Sequence, residues 1–578
     1  MSDDIADAME VPIAASEALQ TGEARRLTGP GLLLTQAGAT LEAQYSGFAP
    51  ARVAALWHHH ARRVLDAVGW QDQECTSRQF TGGIAVAISA PADQLYSATF
   101  VLQLAWHLVA ADLLWQPRGD LAAMMDDLRR VMAREANPAM MALMGAAAVH
   151  GLEVLVDEDF LTIGHGCAAQ SWKMAHLPAP SAVDWQALHN LPVGLITGTN
   201  GKTTTTRLAM AMARAAGKVA GLTSTDMVRV GDEIIDRGDY SGPGGARLLL
   251  RHRGLEVGFL EIARGGILRR GVPVRQAIAA VVTNVAADHL GDYGIDTVAE
   301  LAEAKFAIRH GLRAGGVLVL NADDPPVVAE ANRLGLLARW FSLNPDAPQI
   351  IAARAAGQPC GFVEHGAIWL HNGRQAVPVI AVADVPIAMG GAAGHNVSNT
   401  LAACCLCSVM GVEIDAMARS LAAFRSDPLD NPGRLNEFLH NGARLFVDFA
   451  HNPHSIAAVT GALLALPAKR RFVMMAHAGD RSDEDIRALA RGACVLAPDV
   501  VVVAELPGYT RGRAPGEIPA LLRAECLVQG IPADHILSAQ SPSEGVAKIM
   551  AEVRPGDLAL LLVHSERDKV FRMLGSQA

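Results

Sequence analysis

The sequence lacks any uninterrupted apolar run near the roughly 18 residues that span a bilayer, although 51% of its 578 residues are hydrophobic. It also lacks a basic excess, because 49 Lys and Arg stand against 59 Asp and Glu, for a net charge of −10. That balance argues against a nucleic-acid backbone as the main partner. The first ten residues are acidic, unlike a signal peptide. We therefore expect a cytoplasmic protein that binds neither membrane nor nucleic acid.

The eight cysteines lack the paired spacing of a metal site. Cys404, Cys405 and Cys407 cluster, but they lie in an apolar, helix-like run, where buried and reduced thiols are expected. Charged residues are also scarce, at 19%, so the chain has enough apolar side chains for a sizeable core. The length predicts roughly three or four domains.

The strongest motif is a glycine turn between a predicted strand and a predicted helix. The apolar run Val193–Ile196 predicts a buried strand, Gly198 and Gly201 allow a tight turn, and a helical pattern follows. This order directs backbone N–H groups and a helix N-terminus at phosphate. Lys202 supplies a positive charge for the β- and γ-phosphates, and Thr203 a hydroxyl for Mg²⁺. The first glycine of a strict Walker A motif is missing, and a turn that binds nothing is the alternative. We predict a site for ATP and Mg²⁺.

Downstream of this turn, strand and helix patterns alternate, which predicts a parallel sheet with helices on both faces. Each predicted strand ends in polar residues, namely Thr223–Asp226, Glu261, Thr283 and Asn284 followed by Asp288 and His289, and Asn321–Asp324. Ligands bind beyond the carboxyl ends of parallel strands, so we expect these side chains to converge around the glycine turn. Any one of them could be an ordinary turn residue, but their recurrence at four strand ends favours a magnesium shell.

These patterns divide the chain into four parts and predict an α/β fold class. Residues 1–135 form an N-terminal α+β domain, and residues 136–182 begin a fold that is not completed and lead into a linker. Residues 183–427 form a central ATP-binding domain with a P-loop-type parallel sheet. Residues 428–578 form a C-terminal Rossmann-like α/β domain. The polar strand ends of the last two domains could face each other across a cleft that closes on substrate.

The motifs of residues 190–578 resemble those of the Mur ligase superfamily, whose members include peptidoglycan-precursor ligases and folylpolyglutamate synthetase. The matching stretches are Gly198–Thr203, Asn284 with Asp288 and His289, Gly394–Asn396 with Asn399, Pro432–Arg434 and Asp448–Pro453. A finer resemblance is to the Mur-like module of the cyanophycin synthetases, in Thr223–Asp226, Gly238–Pro243, Glu261–Arg269 and Gly479–Asp485.

The N-terminal part also resembles that of the cyanophycin synthetases. Residues 25–135 are similar to their N-terminal domain, and residues 136–176 to the first piece of their ATP-grasp module, whose remainder is absent from this sequence. In that family the ATP-grasp module extends a polyaspartate backbone, and the Mur-like module attaches arginine to each side-chain carboxylate. The resemblance therefore implies that this chain keeps the second activity and lacks the first.

The resemblance implies an ADP-producing, ATP-dependent carboxylate–amine ligase that acts through an acyl phosphate. The expected nucleotide-binding residues are Gly198, Thr199, Asn200, Gly201, Lys202, Thr203, Thr204, Asn284, Asn396, Arg434 and Asp448. The glycine turn and the polar strand ends already predict that Lys202 contacts phosphate and that Thr203 and Glu261 share one Mg²⁺. The resemblance implies that adenine is contacted by Asn396, phosphate by Arg434 and ribose by Asp448. It also implies that His289 helps to bind a second Mg²⁺.

Two further catalytic candidates rest on the resemblance alone. Lys305 matches a family lysine that is often carbamylated, with an ordinary surface lysine as the alternative. His451 should lie near the reacting carboxylate or the acyl phosphate. The catalytic set is thus Lys202, Glu261, His289, Lys305 and His451, and the metal set is Thr203, Glu261 and His289.

Three functions compete at this point. The first is a ligase that acts on a cyanophycin-like polymer or an acidic peptide. The second is the same chemistry on a cell-wall or folate-like substrate, and the third is a nucleotide-binding scaffold for a separate ATP-grasp polymerase. The expected partners are an acidic acceptor, an amine that the sequence does not identify and a separate ATP-grasp enzyme, and a homo-oligomer is left open. A polyanion would need a basic surface, for which the N-terminal candidates are Arg25, Arg26, Arg62, Arg63, Arg129 and Arg130.

Overall fold

The computed structural model describes residues 3–575. The N-terminal part forms a five-stranded antiparallel sheet, in the order β1-β3-β5-β4 with β2 also paired to β3, and helices cover it. Its elements are α1 (Asp3–Ala6), β1 (Leu19–Thr21), β2 (Arg25–Leu27), β3 (Gly38–Tyr45), α2 (Pro50–Ala67), β4 (Cys75–Phe80), β5 (Gly83–Ser89), α3 (Leu95–Leu114) and α4 (Leu121–Glu135). This is the α+β architecture predicted for the first part of the chain.

Helix α3 is the core helix of this N-terminal unit. Within residues 3–575 it is the one helix that is long and apolar enough, by composition, to cross a membrane. However, 78% of its most apolar 18-residue window is buried inside the structure. Trp106 of α3 packs against Trp57 of α2, with ring centroids 6.3 Å apart. The apolar surface of α3 is therefore covered by its own domain.

Residues 138–173 contain a helix and an antiparallel sheet of three strands, and this segment packs on the central domain. Its elements are α5 (Pro138–Val149), β6 (Val154–Val156), β7 (Phe160–Ile163) and β8 (Gln170–Lys173). The buried carboxylate of Glu153 accepts hydrogen bonds from the backbone N–H groups of Arg275 and Gln276, at 2.7 and 2.9 Å. Arg251 donates to the carbonyl of Phe160 at 3.1 Å and pairs with Asp157.

The central part is built on an eleven-stranded sheet in the order β12-β11-β10-β13-β9-β14-β15-β16-β17-β18-β19. Its strands are β9 (Val193–Thr197), β10 (Ala220–Thr223), β11 (Met227–Val230), β12 (Glu233–Arg237), β13 (Val257–Glu261), β14 (Ala277–Val282), β15 (Leu312–Asn321), β16 (Arg339–Ser342), β17 (Pro359–Glu364), β18 (Ala367–Asn372) and β19 (Ala376–Ala381). Its helices are α6 (Lys202–Ala215), α7 (Pro243–Leu250), α8 (Arg264–Arg270), α9 (Val298–Phe306), α10 (Pro325–Arg333), α11 (Pro348–Ala355), α12 (Gly394–Val409) and α13 (Ile414–Ala423).

The predicted parallel sheet is confirmed in its middle and extended at both edges. The middle of the sheet, which consists of β10, β13, β9, β14, β15, β16 and β17, is parallel. The hairpins β11–β12 and β18–β19 add antiparallel edges. Strand β9 lies at the centre with both faces covered, so Ile196 packs in one apolar layer and Leu195 in the other. Cys404, Cys405 and Cys407 are fully buried on α12, as predicted.

The C-terminal part is a six-stranded sheet in the order β20-β21-β25-β22-β23-β24, all parallel except the edge strand β20. Its strands are β20 (Asn436–His440), β21 (Ala443–Asp448), β22 (Arg471–Met475), β23 (Val500–Ala504), β24 (Ile536–Ala539) and β25 (Leu558–Leu562). Its helices are α14 (Pro453–Leu464), α15 (Asp483–Cys494), α16 (Glu517–Val528), α17 (Pro542–Glu552) and α18 (Arg567–Gly575). The predicted C-terminal α/β unit is confirmed.

The N-terminal domain is fastened to the central domain beside helix α8. The backbone N–H of Thr28 donates to the carbonyl of Arg270 at 2.8 Å, and that of Val272 donates to the carbonyl of Pro30 at 2.6 Å. On the same side, Arg78 pairs with Glu300 at 3.0 Å. These contacts hold the N-terminal sheet against the helix that follows Glu261.

Candidate nucleotide and ligation site

The glycine turn after β9 is shaped by two positions that exclude side chains. Gly198 has φ of +151° and Gly201 of +84°, where residues with a Cβ are strained. A Cβ on Gly198 would lie 1.8 Å from Thr283 Oγ1, and one on Gly201 would lie 2.1 Å from Asn399 Oδ1. The turn therefore needs glycine at both positions, and helix α6 starts directly after it.

Side chains from the end of β14 hold this turn in place. Asn284 Oδ1 accepts the backbone N–H of Asn200 at 2.9 Å, and Asn284 Nδ2 donates to the carbonyl of Asn200 at 3.0 Å. Thr283 Oγ1 donates to the same carbonyl at 2.7 Å. The Thr199 hydroxyl donates to the carbonyl of Ala286 at 3.1 Å. A loop fixed from neighbouring strands is preorganised for phosphate.

Thr203 and Glu261, predicted to share one Mg²⁺, are in direct contact. Thr203 Oγ1 donates to Glu261 Oε2 at 2.9 Å. Glu261 is 1% exposed, and its Oε1 has no hydrogen-bond partner within residues 3–575. Burial raises the pKa of this carboxyl, while the positive charge of Lys202 lowers it. A buried carboxylate oxygen without a partner, beside a hydroxyl, fits a hard divalent cation, for which oxygen ligands are preferred.

Lys202 and Lys305 approach the turn from two sides. Lys202 Nζ donates to the carbonyls of Gly198 and Thr199, at 3.1 and 2.9 Å. Lys305 of α9 is buried and donates to the carbonyl of Gly198 at 2.8 Å, so the surface-lysine alternative is wrong. Burial, and then the charge of Lys202, push the pKa of Lys305 well below its usual value. A neutral amine is the form that carbamylation requires, and that modification stays a prediction.

His289 lies at the same cleft, but its imidazole is engaged by the C-terminal domain. Arg481 donates to His289 Nε2 at 2.6 Å and approaches Asp288 at 3.5 Å. A nitrogen that accepts a hydrogen bond has no second lone pair for a metal ion. Within residues 3–575 there is no ready cluster of three His, Cys, Asp or Glu ligands. The metal role of His289 therefore stays a prediction and requires Arg481 to move.

Asp288 joins the two domains through histidine as well as arginine. His451 Nε2 lies 3.9 Å from Asp288 Oδ2, and His289 lies on the other side of the same carboxylate at 4.0 Å. Burial raises the pKa of Asp288, but interactions with the nearby basic side chains, His451 first, outweigh burial and leave the pKa below its usual value. Burial lowers the pKa of His451 to about 4, so this imidazole is neutral near pH 7.

The expected adenine and ribose contacts lie at the junction of the central and C-terminal domains. Asn396 is buried and donates to the carbonyl of Ile387 at 3.0 Å. Asp448 accepts backbone N–H groups from Leu435 and Ala450, at 2.8 and 2.7 Å. Burial raises the pKa of Asp448, and the neighbouring Arg434 lowers it.

Every predicted site residue lines a single cleft of about 2560 Å³. These residues are Gly198, Thr199, Asn200, Gly201, Lys202, Thr203, Thr204, Glu261, Asn284, His289, Lys305, Asn396, Arg434, Asp448 and His451. The cleft is bounded by all three domains, because Arg26 and Tyr96 of the N-terminal domain also line it. Their individual roles stay predictions.

Sequence reasoning missed the contacts that cross between domains. Asp226 lies between Arg207 of α6, at 3.2 Å, and Arg567 of α18, at 2.8 Å. Asn200 and Asn452 exchange side-chain hydrogen bonds. The position of Asp226 after a predicted strand marks it in the sequence, whereas Arg207 and Arg567 carry no local signal of their partner.

Family models match two parts of the chain. The model described as "Mur ligase middle domain" matches residues 196–407, and the one described as "Mur ligase, glutamate ligase domain" matches residues 433–562. The UDP-N-acetylmuramoylalanine–D-glutamate ligase of Aromatoleum aromaticum is 31% identical over 369 residues, covering 63% of this chain and 67% of that relative. The chain belongs to the Mur ligase family.

Cyanophycin synthetases are also among its relatives. That of Crocosphaera subtropica is 37% identical over 345 residues, which cover 60% of this chain, and that of Synechocystis sp. is 36% identical over 341 residues, which cover 59%. The match spans only 39% and 38% of the length of those two relatives. Among solved structures, E. coli FolC in complex with DHPP and ADP superposes with a TM-score of 0.51 at 20% identity, covering 67% of this chain and 89% of that one. That likeness confirms the α/β fold.

Proposed function

We propose that this protein is an ATP-dependent carboxylate–amine ligase that uses Mg²⁺ and forms an amide bond through an acyl phosphate. The observation that carries the proposal is the Thr203–Glu261 pair, whose second carboxylate oxygen has no partner within residues 3–575. It lies beside the rigid glycine turn and Lys202, where a triphosphate with its cation would find both charge and donors.

The chemistry follows from the weakness of a carboxylate as an acyl donor. The leaving group of a free carboxylate would be oxide. Transfer of the γ-phosphoryl group to the carboxylate gives an acyl phosphate, and phosphate is then released when an amine attacks the carbonyl carbon. Catalysis of phosphoryl transfer is mostly positioning and neutralisation of charge. Lys202 and the 198–203 backbone would hold the phosphates, while Thr203 and Glu261 would hold the cation. His451 lines the same cleft and should lie near the reacting carboxylate or the acyl phosphate.

For the acceptor, we propose an acidic peptide or a cyanophycin-like polymer. The similarity to cyanophycin synthetases over about 60% of the chain supports this class, with a cell-wall or folate-like acceptor as the second candidate. A nucleotide-binding scaffold for a separate ATP-grasp polymerase is less favoured, because a buried carboxylate such as Glu261, with one oxygen that has no partner within residues 3–575, costs stability unless it serves a ligand. A separate ATP-grasp enzyme that makes the acceptor remains part of the proposal.

The test is a screen of phosphate release with ATP and Mg²⁺, across the twenty amino acids, with and without an aspartate oligomer. We expect release that depends on both an amino acid and an acidic acceptor, and a product whose mass equals the sum of the two minus water. Nucleotide binding without acceptor-dependent release under any combination would overturn the ligase and favour the scaffold.

A further inference from the structure

We propose that Arg26, Arg269 and Arg270 form a subsite for the carboxylates of an acidic peptide acceptor, next to its reacting end. This inference rests on the proposed ligase function and names the acceptor surface for that same site. The three side chains come from two domains, since Arg26 lies on β2 and the other two lie at the end of α8. All three line the cleft that holds Lys202 and Glu261.

The first argument is charge that is not neutralised. Within residues 3–575, none of these three guanidinium groups has an ion pair, although the chain is acidic overall. Arg26 lies over the ring of Tyr96, 3.6 Å from its centroid. Arg269 donates to the carbonyl of Gly265 at 3.2 Å, and Arg270 donates to that of Arg26 at 3.4 Å.

The second argument is that these charges are crowded together. Burial, and then the positive charges of Arg26 and Arg269, lower the pKa of Arg270. Among the acidic side chains, the carboxylate of Glu23 raises the pKa of Arg270. Like charges held close together repel each other, so an anionic ligand would relieve a cost that the folded protein otherwise carries.

Four of the other five N-terminal arginines expected to form a basic surface are paired elsewhere. Arg25 pairs with Glu42 at 2.7 Å, and Arg62 with Asp66 at 3.0 Å. Arg129 pairs with Asp126 at 2.9 Å, and Arg130 with Asp127. The basic surface that faces the cleft is therefore completed by the central domain rather than by the N-terminal domain alone.

The third argument is the spacing between the subsite and the catalytic centre. Helix α8 starts three residues after Glu261 and ends at Arg270. Its seven residues extend roughly 9–10 Å, which an extended peptide covers in about three residues. An acceptor whose reacting carboxylate lies near Glu261 would thus place the carboxylates of residues about three positions away among these arginines.

The test uses the full chain and aspartate oligomers of one to six residues, because removing the N-terminal domain would strip the Val272–Pro30 and Arg78–Glu300 contacts. Phosphate release is measured with ATP, Mg²⁺ and a mixture of the twenty amino acids. Binding of fluorescein-labelled hexa-aspartate is measured separately by anisotropy. The variants are Arg26→Gln and Arg269→Gln, and Arg130→Gln is the control, because Arg130 forms an exposed surface pair.

We expect KM to fall with oligomer length up to about four residues. Arg26→Gln and Arg269→Gln should each weaken hexa-aspartate binding by about tenfold, as loss of a charge-assisted hydrogen bond does, and should remove the length advantage. Melting temperature, and the rate with a single aspartate, should match those of Arg130→Gln. Unchanged hexa-aspartate affinity in both variants would overturn the subsite.

Two outcomes separate this inference from the proposed function. Arginine-dependent binding of hexa-aspartate without phosphate release would keep the subsite and overturn the ligase. Acceptor-dependent release with unchanged binding in the variants would do the reverse. Equal competition by an oligophosphate of the same charge would overturn the assignment to a peptide, because the cluster would then be a general polyanion surface.

Discussion

Asn200 of the glycine turn and Asn452, the N-cap of α14, exchange two side-chain hydrogen bonds of 3.2 and 3.1 Å. The first residue belongs to the central domain and the second to the C-terminal domain. Asn452 Oδ1 also accepts the N–H of Ser455 at 2.9 Å, so one side chain both caps a helix and reaches the glycine turn. This pair couples the position of the C-terminal domain to that of the glycine turn.

Replacing either asparagine should weaken this coupling, but only the replacement of Asn452 should lower the free energy of unfolding. Asn200→Ala keeps the helix cap, whereas Asn452→Ala loses it at a cost of about 1 kcal/mol. We expect both variants to lower kcat/KM for ATP severalfold, as the loss of hydrogen bonds worth about 1 kcal/mol predicts. Urea denaturation should show a lower free energy of unfolding for Asn452→Ala alone. Activity that stays normal in Asn200→Ala would contradict the coupling.

Lys202→Ala should abolish ligation and leave the protein folded. Within residues 3–575, the hydrogen bonds of this side chain go to carbonyls of the turn itself, so we expect its charge to serve the nucleotide rather than the core. Loss of one preorganised charge at a transition state commonly costs about 3–4 kcal/mol. Phosphate release and the melting temperature are to be measured together. A well-folded variant with near-normal release would remove the glycine turn from the mechanism.

Glu261→Gln should raise the magnesium requirement without destabilising the ligand-free protein. Burial raises the pKa of Glu261, so the folded state disfavours its charged form at neutral pH, and this carboxyl contributes stability only below its unfolded pKa. The amide should therefore match or exceed the wild-type melting temperature at pH 7. Magnesium titrations of phosphate release provide the second measurement. A lower melting temperature with an unchanged magnesium dependence would identify a structural carboxylate.

The sequence was sufficient to predict what is local in this site. Gly198, Gly201 and Glu261 each stand at the end of an apolar strand, and the right-handed, parallel βα arrangement brings such ends to one edge. The parallel core of the central sheet followed from the same alternation. The hairpin of β11 and β12 at one edge of that sheet was not predicted, because both strands are short and the exposed β12 lacks an apolar face.

The contacts between domains could not be predicted from local patterns. Arg481 reaches His289 across 192 positions of sequence, and Arg270 meets Arg26 through the docking of separate domains. A basic residue on a loop has the same appearance whether its partner is water or a distant imidazole. Only the relative placement of the domains shows which basic side chains are paired and which remain available to bind a ligand.

The Arg481–His289 contact leads to the last prediction. Arg481 Nη2 donates to His289 Nε2 at 2.6 Å, so the nitrogen that the family resemblance assigns to a second Mg²⁺ is occupied in this arrangement. If His289 binds a cation, Arg481 competes with it, both for the lone pair and through its positive charge. Arg481→Gln should then bind Mn²⁺, a paramagnetic substitute for Mg²⁺, more tightly in the presence of ADP.

A double-mutant cycle separates this competition from a general effect of removing charge. Arg481→Gln, His289→Ala and the double variant are compared by electron paramagnetic resonance titration of Mn²⁺ with saturating ADP. We expect His289→Ala to cancel most of the gain from Arg481→Gln, since the two residues are in contact and their effects should not add. If Arg481→Gln tightens Mn²⁺ binding equally with and without His289, the gain comes from the nearby Asp288 instead. Weaker Mn²⁺ binding in Arg481→Gln would show that the arginine supports the nucleotide site rather than competing with the cation.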